Sequence, residues 1–401
     1  MKNIYRFPFV MFCLFTSTNP LHAQWIQTPY GGIVRSLAVS GTNFFAGTND
    51  GVFLSTNTGT SWSAVNSGLT NTYVHCLAVS GTNLFAGTDG GGVFLSTNNG
   101  TSWTSTGLTN ALVYALAVSG TNLFAGTNGS AFLSTNNGTS WTAVNSGLMI
   151  ASVRALAVFG TNLFAGTDSG LFVSSNNGTS WTPVNSGLTN TRVFALAVYG
   201  TNFFGGTDAG GVFLSSNNGT SWSAVNSGLT NTSVSSLAVS GANLFAGTYG
   251  GGVFLSTNNG TSWTAVNSGL TNSLVSSLAV SGTNLFAGTF GGVSRRPLAQ
   301  MITSVAKIAG SEVPESFTLE QNYPNPFNPS TIIQFSLPRT AHVTLKLFNT
   351  VGEEIATLVS EELGAGTYTT QWNATAIAGG FYFYRFHAGS FTQTKKLILL
   401  R

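Results

Sequence analysis

The chain has 401 residues, 42% of them apolar and only 6% charged, a length for two to four domains with sizeable cores and a composition far from that of a disordered, charge-rich chain. The formal charge of +3 hides a split: residues 24–297 carry five arginines, four aspartates and no lysine, so no basic stripe exists for a phosphate backbone and nucleic acid is not an expected partner. The 49 glycines show no period of three and no apolar run is long enough to cross a bilayer, which excludes a collagen-like fibre and a transmembrane span.

Lys2 and Arg6 precede an apolar stretch from Phe7 to Phe15, and Leu21-His22-Ala23 supplies small or neutral residues before Gln24. This is the pattern of a secretory signal peptide over residues 1–23. The stretch is too short for an anchor helix, which Pro8 within it and Pro20 beyond it would break. Cys13 falls inside it, which leaves Cys76 alone, so no intrachain disulfide is expected in the mature chain.

Residues 24–297 form a repeat. The unit LAVSGTNLFAGT, with small substitutions, begins at Leu37, Leu77, Leu116, Leu156, Leu196, Leu237 and Leu278. Each unit reads as four short strands separated by Ser-Gly-Thr-Asn, Gly-rich and Asn-Asn-Gly turns. Four strands in a period of about 40 residues predict a β-propeller blade, so the expected fold is all-β with seven blades. The segment ending at Trp62, Trp103, Trp141, Trp181, Trp222 and Trp263 occurs six times, and the seventh unit stops at Arg295-Arg296-Pro297 without it. Trp25 stands before Leu37 with no strands ahead of it. The N-terminal strand is therefore expected to complete the last blade and remove an open sheet edge.

The segment Ser55-Thr56-Asn57-Thr58-Gly59-Thr60-Ser61-Trp62 and its five relatives resemble the Asp-box hairpin of sialidase-like and sortilin-type propellers, with Asn57, Asn98, Asn136, Asn176, Asn217 and Asn258 where that hairpin has Asp. Its role is read as structural: Asn hydrogen-bonds its own turn, Gly takes positive φ and Trp packs between blades. The resemblance implies no particular ligand, because such propellers include hydrolases and non-enzymatic binders.

Comparison of the seven units locates candidate function. Two positions before each LAV leucine stand Arg35, His75, Tyr114, Arg154, Phe194, Ser235 and Ser276, and four before it stand Tyr73 and Arg192. Just after the second strand stand Asn49, Asp89, Asn128, Asp168, Asp208, Tyr249 and Phe290. Propeller topology places these positions around one channel mouth. Arg35, Tyr73, His75, Tyr114, Arg154, Arg192, Phe194, Asp89, Asp168, Asp208, Tyr249 and Phe290 are thus the candidate ligand-binding residues, suited to an extracellular glycan or protein through stacking and charged hydrogen bonds. The three arginines are expected to converge on one ligand. His75 is expected to be exposed and Cys76 packed, since neighbours on a strand face opposite ways.

No catalytic residue is assigned. Residues 24–311 contain no glutamate, whereas a sialidase needs one, and glycosidases generally need paired carboxylates, for which Asp50, Asp89, Asp168 and Asp208 are the candidates. Asp168 and Asp208 occupy equivalent sites on adjacent units and could approach one another. Metal-ligand clusters and phosphate loops are missing from the sequence, so neither metal nor cofactor is expected. A glycoside hydrolase and a structural surface or matrix protein stand as alternatives to a binding module.

All seven glutamates lie beyond Lys307, and a boundary is expected there, with residues 298–315 a linker and 316–401 a small immunoglobulin-like β-sandwich. The blocks NYPNPFNPSTIIQFSLP, LFNTVGEEIATLV and AGGFYFYRFHAGSFTQTKKLILLR resemble the type A C-terminal sorting domain of the type IX secretion system, with Gly379-Gly380 where Ser-Gly is common. The resemblance implies export across the outer membrane by that machinery, to the medium or the cell surface. It also assigns Asn325, Pro326, Phe327, Asn328, Pro329, Gly380, Lys395 and Lys396 to the sorting signal.

Overall fold

A computed structural model describes residues 24–148, 151–298, 301, 305–308, 312–374 and 378–400. The expected signal peptide, Cys13 included, lies outside them. No α-helix occurs among the described residues, and the chain divides into two units between residues 304 and 305.

In the first unit, seven four-stranded antiparallel sheets follow one another as blades. The first blade runs from an inner strand Val34–Ser40 through Asn43–Thr48 and Gly51–Ser55 to a short outer strand Ser63–Ala64. The other inner strands are Val74–Ser80, Val113–Ser119, Val153–Phe159, Val193–Tyr199, Val234–Ser240 and Val275–Ser281, and each packs beside the next, the last returning to the first. The tight turn after Val34–Ser40 requires Gly41 at φ +60°. Gly47 serves packing instead: a Cβ there would meet Val74 Cγ1 of the next blade at 2.8 Å. The second strand is apolar on both faces because it lies between neighbouring blades, as in Asn43–Thr48, where Phe44, Phe45, Ala46 and Thr48 are buried.

The N-terminal strand Ile26–Gln27 pairs with Gly292–Pro297, with Ile26 opposite Arg295 and Gln27 opposite Ser294, and so supplies the fourth strand of the last blade. Indole hydrogen bonds tie each blade to the one before. Trp103, Trp181, Trp222 and Trp263 donate to the carbonyls of Val65, Val144, Val184 and Val225, and Trp25 donates to Val266. Trp62 and Trp141 donate instead to the hydroxyls of Thr28 and Thr106, which hold the equivalent positions. Burying one indole, roughly 150–250 Å² at about 25 cal/mol/Å², contributes at most about 4–6 kcal/mol.

In the hairpin before Trp62, Ser55 Oγ accepts from Gly59 N at 2.8 Å and Asn57 Oδ1 accepts from Ser61 N at 2.9 Å. Asn57 Nδ2 then donates to Ser61 Oγ at 2.9 Å, a donation no carboxylate could make. The same three bonds recur at the hairpins of Asn98, Asn136, Asn176, Asn217 and Asn258.

The second unit is a sandwich of two four-stranded sheets. One orders Val305–Lys307, Gly366–Asn373, Ser330–Leu337 and Thr318–Leu319; the other orders Glu354–Leu363, Ala341–Phe348, Gly380–Ala388 and Phe391–Leu399. Alternating residues Ile333, Phe335, Leu337, Val343, Leu345, Leu347, Tyr384 and Phe386 fill the core between them. The span 298–315, expected as a linker, is partly built into the fold. Leu298 and Met301 are buried in the cluster that holds Trp25. Val305–Lys307 pairs with Tyr368–Thr370, covering a sheet edge that would otherwise lie open.

Candidate functional site

Each inner strand carries a register shift at its first turn. Val34 opposes Thr48 and Ser36 opposes Gly47, which leaves Arg35 without a partner on the second strand. His75, Tyr114, Arg154, Phe194, Ser235 and Ser276 occupy the same bulge in the other blades. A bulge re-aims the side chain of its extra residue. The turn residue lies alongside: Asn49 N donates to Ile33 O, Asp89 N to Tyr73 O, Asp168 N to Ser152 O and Asp208 N to Arg192 O. Bulge, turn and preceding residue therefore form one triplet per blade.

Side-chain contacts link these triplets into a ring through all seven blades. Tyr249 meets Phe290 edge-on at 5.6 Å, and the Arg35 guanidinium lies over the rings of Phe290 and Tyr73, 5.1 Å from each. Arg35 donates through Nε to Asn49 Oδ1 and through Nη2 to Tyr73 OH. His75 stands between Tyr73 at 4.9 Å and Tyr114 at 5.5 Å, with Nε2 3.9 Å from Asp89. Arg154 lies over Tyr114 at 4.0 Å and grips both carboxylate oxygens of Asp168, at 3.1 and 3.0 Å. Arg192 reaches Asp168 at 3.6 Å and Asp208 at 2.5 Å, and lies over Phe194 at 5.2 Å. Ser233 closes the circle by donating to Asp208 Oδ1 at 3.2 Å.

The ring has an ionic half and an aromatic half. In the ionic half, burial works to raise the Asp168 carboxyl, but the hydrogen bonds and charge of Arg154, the charge of Arg192 and the Ser152 hydroxyl outweigh it and hold the group below its ordinary value of 3.8. Asp168 is thus kept ionised and is unsuited to act as a general acid near neutral pH. In the aromatic half, burial pushes His75 below its ordinary 6.5, and Arg35 and Arg154 push the same way against the opposing charge of Asp89.

Two expectations change. The three arginines are not equivalent: Arg154 and Arg192 are ion-paired with Asp168 and Asp208 of the neighbouring turns, whereas Arg35 has no carboxylate at ion-pair distance among the described residues. His75 is not exposed, its side chain retaining only 18% of its surface between two tyrosine rings, whereas Cys76 is packed as expected. Asp168 and Asp208 do come together, but across the guanidinium of Arg192. Asp50 contacts its own blade, its N–H donating to Thr48 Oγ1. Ser152 and Ser233 were not among the candidates, although both stand four residues before the LAV leucine, in register with Tyr73 and Arg192.

In the sandwich, the motif around Phe327 is tied to the last strand. Phe327 N donates to Ile398 O, Leu400 N to Phe327 O and Ile398 N to Asn325 Oδ1, while the Phe327 ring is buried 5.4 Å from that of Trp372. Lys396 is exposed and lies over Phe381 at 4.9 Å. Two open hollows of about 370 and 300 Å³ lie on this unit, one beside Phe317 and His342, the other beside Phe383 and Arg385. Neither contains a residue of the ring.

Residues 34–149 and 111–229 match the family described as the DUF6242 beta propeller domain, and residues 321–400 match the secretion system C-terminal sorting domain. No curated protein matches the chain. Among solved structures it is similar to the extracellular domain of a one-component system from B. thetaiotaomicron, at 18% identity and TM-score 0.58 over 83% of this chain and 47% of that one. It is also similar to PorZ, a surface component of the type-IX secretion system of Porphyromonas gingivalis, at 15% identity and TM-score 0.52 over 92% of this chain and 60% of that one. A GH74 xyloglucanase from Xanthomonas campestris gives 15% identity and TM-score 0.57 over 78% and 59%. The chain thus spans about half the length of the first of these proteins, and the likenesses establish the fold alone.

Proposed function

Taking as premise that the chain joins a β-propeller domain to a type IX secretion sorting domain, which marks it as secreted or cell-surface, we propose that the propeller is a binding module for an extracellular glycan or protein, engaged at the ring of bulge and turn residues. One observation carries this reading: across seven near-identical units, diverse side chains at the bulge, turn and preceding positions make contacts from each blade to the next all the way round. Drift at independent exposed turns has no reason to produce mutual contacts through seven blades. Aromatic faces beside fixed polar groups suit stacking and directional hydrogen bonding. Binding is favoured over hydrolysis because the carboxylates best placed to cooperate, Asp168 and Asp208, are both occupied by arginine.

The test is a glycan and peptide array probed with the full chain, followed by titration of the hits against a Tyr114→Ala variant. Saturable retention that weakens at least about tenfold in the variant supports the reading, a change of about 1.4 kcal/mol. Saturable retention that the variant leaves unchanged places the binding surface elsewhere. Absence of any saturable ligand supports a spacer or matrix role instead. Product release that stops on Asp168→Asn supports a hydrolase.

A further inference from the structure

We propose that Arg35 forms a carboxylate subsite within the ring, placed to take the acidic group of a hexuronate unit in a glycan; this deepens the binding reading above and rests on it. The three arginines of the ring differ in what they have left to offer. Arg154 spends a bidentate grip on Asp168, and Arg192 spans Asp168 and Asp208. Arg35 is held by neutral partners alone, Asn49 Oδ1 on Nε and Tyr73 OH on Nη2, and no described residue accepts from its Nη1.

The rings of Phe290 and Tyr73 keep the guanidinium in place without cancelling its charge. A carboxylate on Arg35 would gain a charge-assisted bond through Nη1. The Tyr73 hydroxyl accepts from Nη2, and its own proton has no acceptor among the described residues, so it supplies a second donor. Two neighbours favour a pyranose as the carrier of that carboxylate. Tyr249 is 50% exposed beside Phe290 and offers an aromatic surface for the sugar ring to stack on. Asp89, with 47% of its side chain exposed, is free to accept from sugar hydroxyls because its ionic neighbour His75 is held toward the neutral form.

The experiment compares oligogalacturonate with its methyl ester, the same backbone without the charges, for binding to the full chain at low salt. Wild type should bind the acid at least about tenfold more tightly than the ester, and Arg35→Met, which keeps the packing stem, should abolish that preference. Arg35→Gln is the second variant, should the first fail to fold, and should behave alike. Equal binding of acid and ester, or a preference that survives both substitutions, would overturn the proposal while leaving ring binding intact if Tyr249→Ala weakens both oligomers. Failure to bind either oligomer removes the hexuronate assignment, and the array then decides on the ring reading by itself. Arg35-dependent binding of a peptide with a free C-terminal carboxylate, without binding of its amide or of oligogalacturonate, would reassign the subsite to a chain end and equally overturn it.

Discussion

The indole N–H of Trp25 donates to the carbonyl oxygen of Val266 across 2.6 Å, joining residues 241 positions apart. It completes a circuit in which every blade's tryptophan reaches the blade before it, the last step passing from Trp62 to Thr28 on the N-terminal segment itself. The propeller is therefore closed by noncovalent contacts at the junction between the seventh blade and the first, and residues 25–28 reach both sides of that junction.

Trp25→Ala should consequently destabilise the propeller by about 3–5 kcal/mol, the range for deleting a large buried ring, and removal of residues 24–30 should cost more by opening the last sheet. Chemical denaturation followed by tryptophan fluorescence measures both. Truncation of residues 316–401 should leave the propeller transition in place. A Trp25→Ala protein that unfolds with the parent would show that closure resides elsewhere.

Blade count and closure were legible because they rest on spacing: seven leucines at intervals of 39 to 41 residues and one Trp25 with no blade ahead of it. Most of the ring positions were legible because units of one chain serve as each other's comparison, whereas Ser152 and Ser233, small polar residues common elsewhere in the repeats, did not stand out. The pairing inside the ring was not. Arg192 belongs to one blade and Asp168 to the blade before, and whether they meet depends on a bulge that sequence periodicity does not report. His75 read as exposed from strand alternation, yet rings from its own and the next blade cover it. The strand Val305–Lys307 was hidden because three residues are too few for a pattern, and its partner strand lies about sixty residues later.

Acid should weaken the fold in two steps. His75 titrates lower in the folded chain than its ordinary 6.5, so below that pH the unfolded chain binds the extra proton first and stability falls until the folded value is passed. Asp168 lies below its ordinary 3.8, so its contribution is complete above that pH and is lost as the pH falls through the folded value. Denaturant titrations at neutral pH, near pH 5 and near pH 3 separate the steps. Asp168→Asn should cost about 1–3 kcal/mol at neutral pH and progressively less in strong acid, while His75→Gln should flatten the change below pH 6.5. A constant gap between Asp168→Asn and parent across the whole range would contradict the pairing with Arg154.

Cys76 should be chemically silent in the native protein. Burial pushes its thiol up to about 12, only partly opposed by a backbone hydrogen bond from Gly87, and a thiol without thiolate is neither a nucleophile nor readily oxidised. A disulfide-forming chromogenic reagent at pH 8 should label it no faster than the propeller opens, with full labelling in denaturant. Stoichiometric labelling within seconds under native conditions would place the sulfur at the surface.

In the sorting domain, the motif around Asn325 and the final strand behave as one structure: Asn325 Oδ1 and the backbone of Phe327 are bound to Ile398 and Leu400, and the Phe327 ring is 2% exposed. Phe327→Ala should therefore destabilise the sandwich by about 3–5 kcal/mol, and deletion of residues 397–401 should be more damaging, because it also removes the buried Leu397 and Leu399. Lys396 is exposed, and its backbone carbonyl, which accepts from Gln321 Nε2, does not depend on the side chain. Lys396→Gln should accordingly cost no more than about 1 kcal/mol, the worth of an exposed contact over Phe381. A fluorescent protein preceded by residues 1–23 and followed by residues 316–401, expressed in a bacterium that possesses a type IX system, then separates folding from recognition. Export lost in Phe327→Ala together with stability, but lost in Lys396→Gln at nearly full stability, would assign the lysine to contact with the machinery. Unimpaired export of the Lys396→Gln fusion would leave Lys396 outside the sorting signal, and export of the truncated fusion would show that the docked strand is not what the machinery reads.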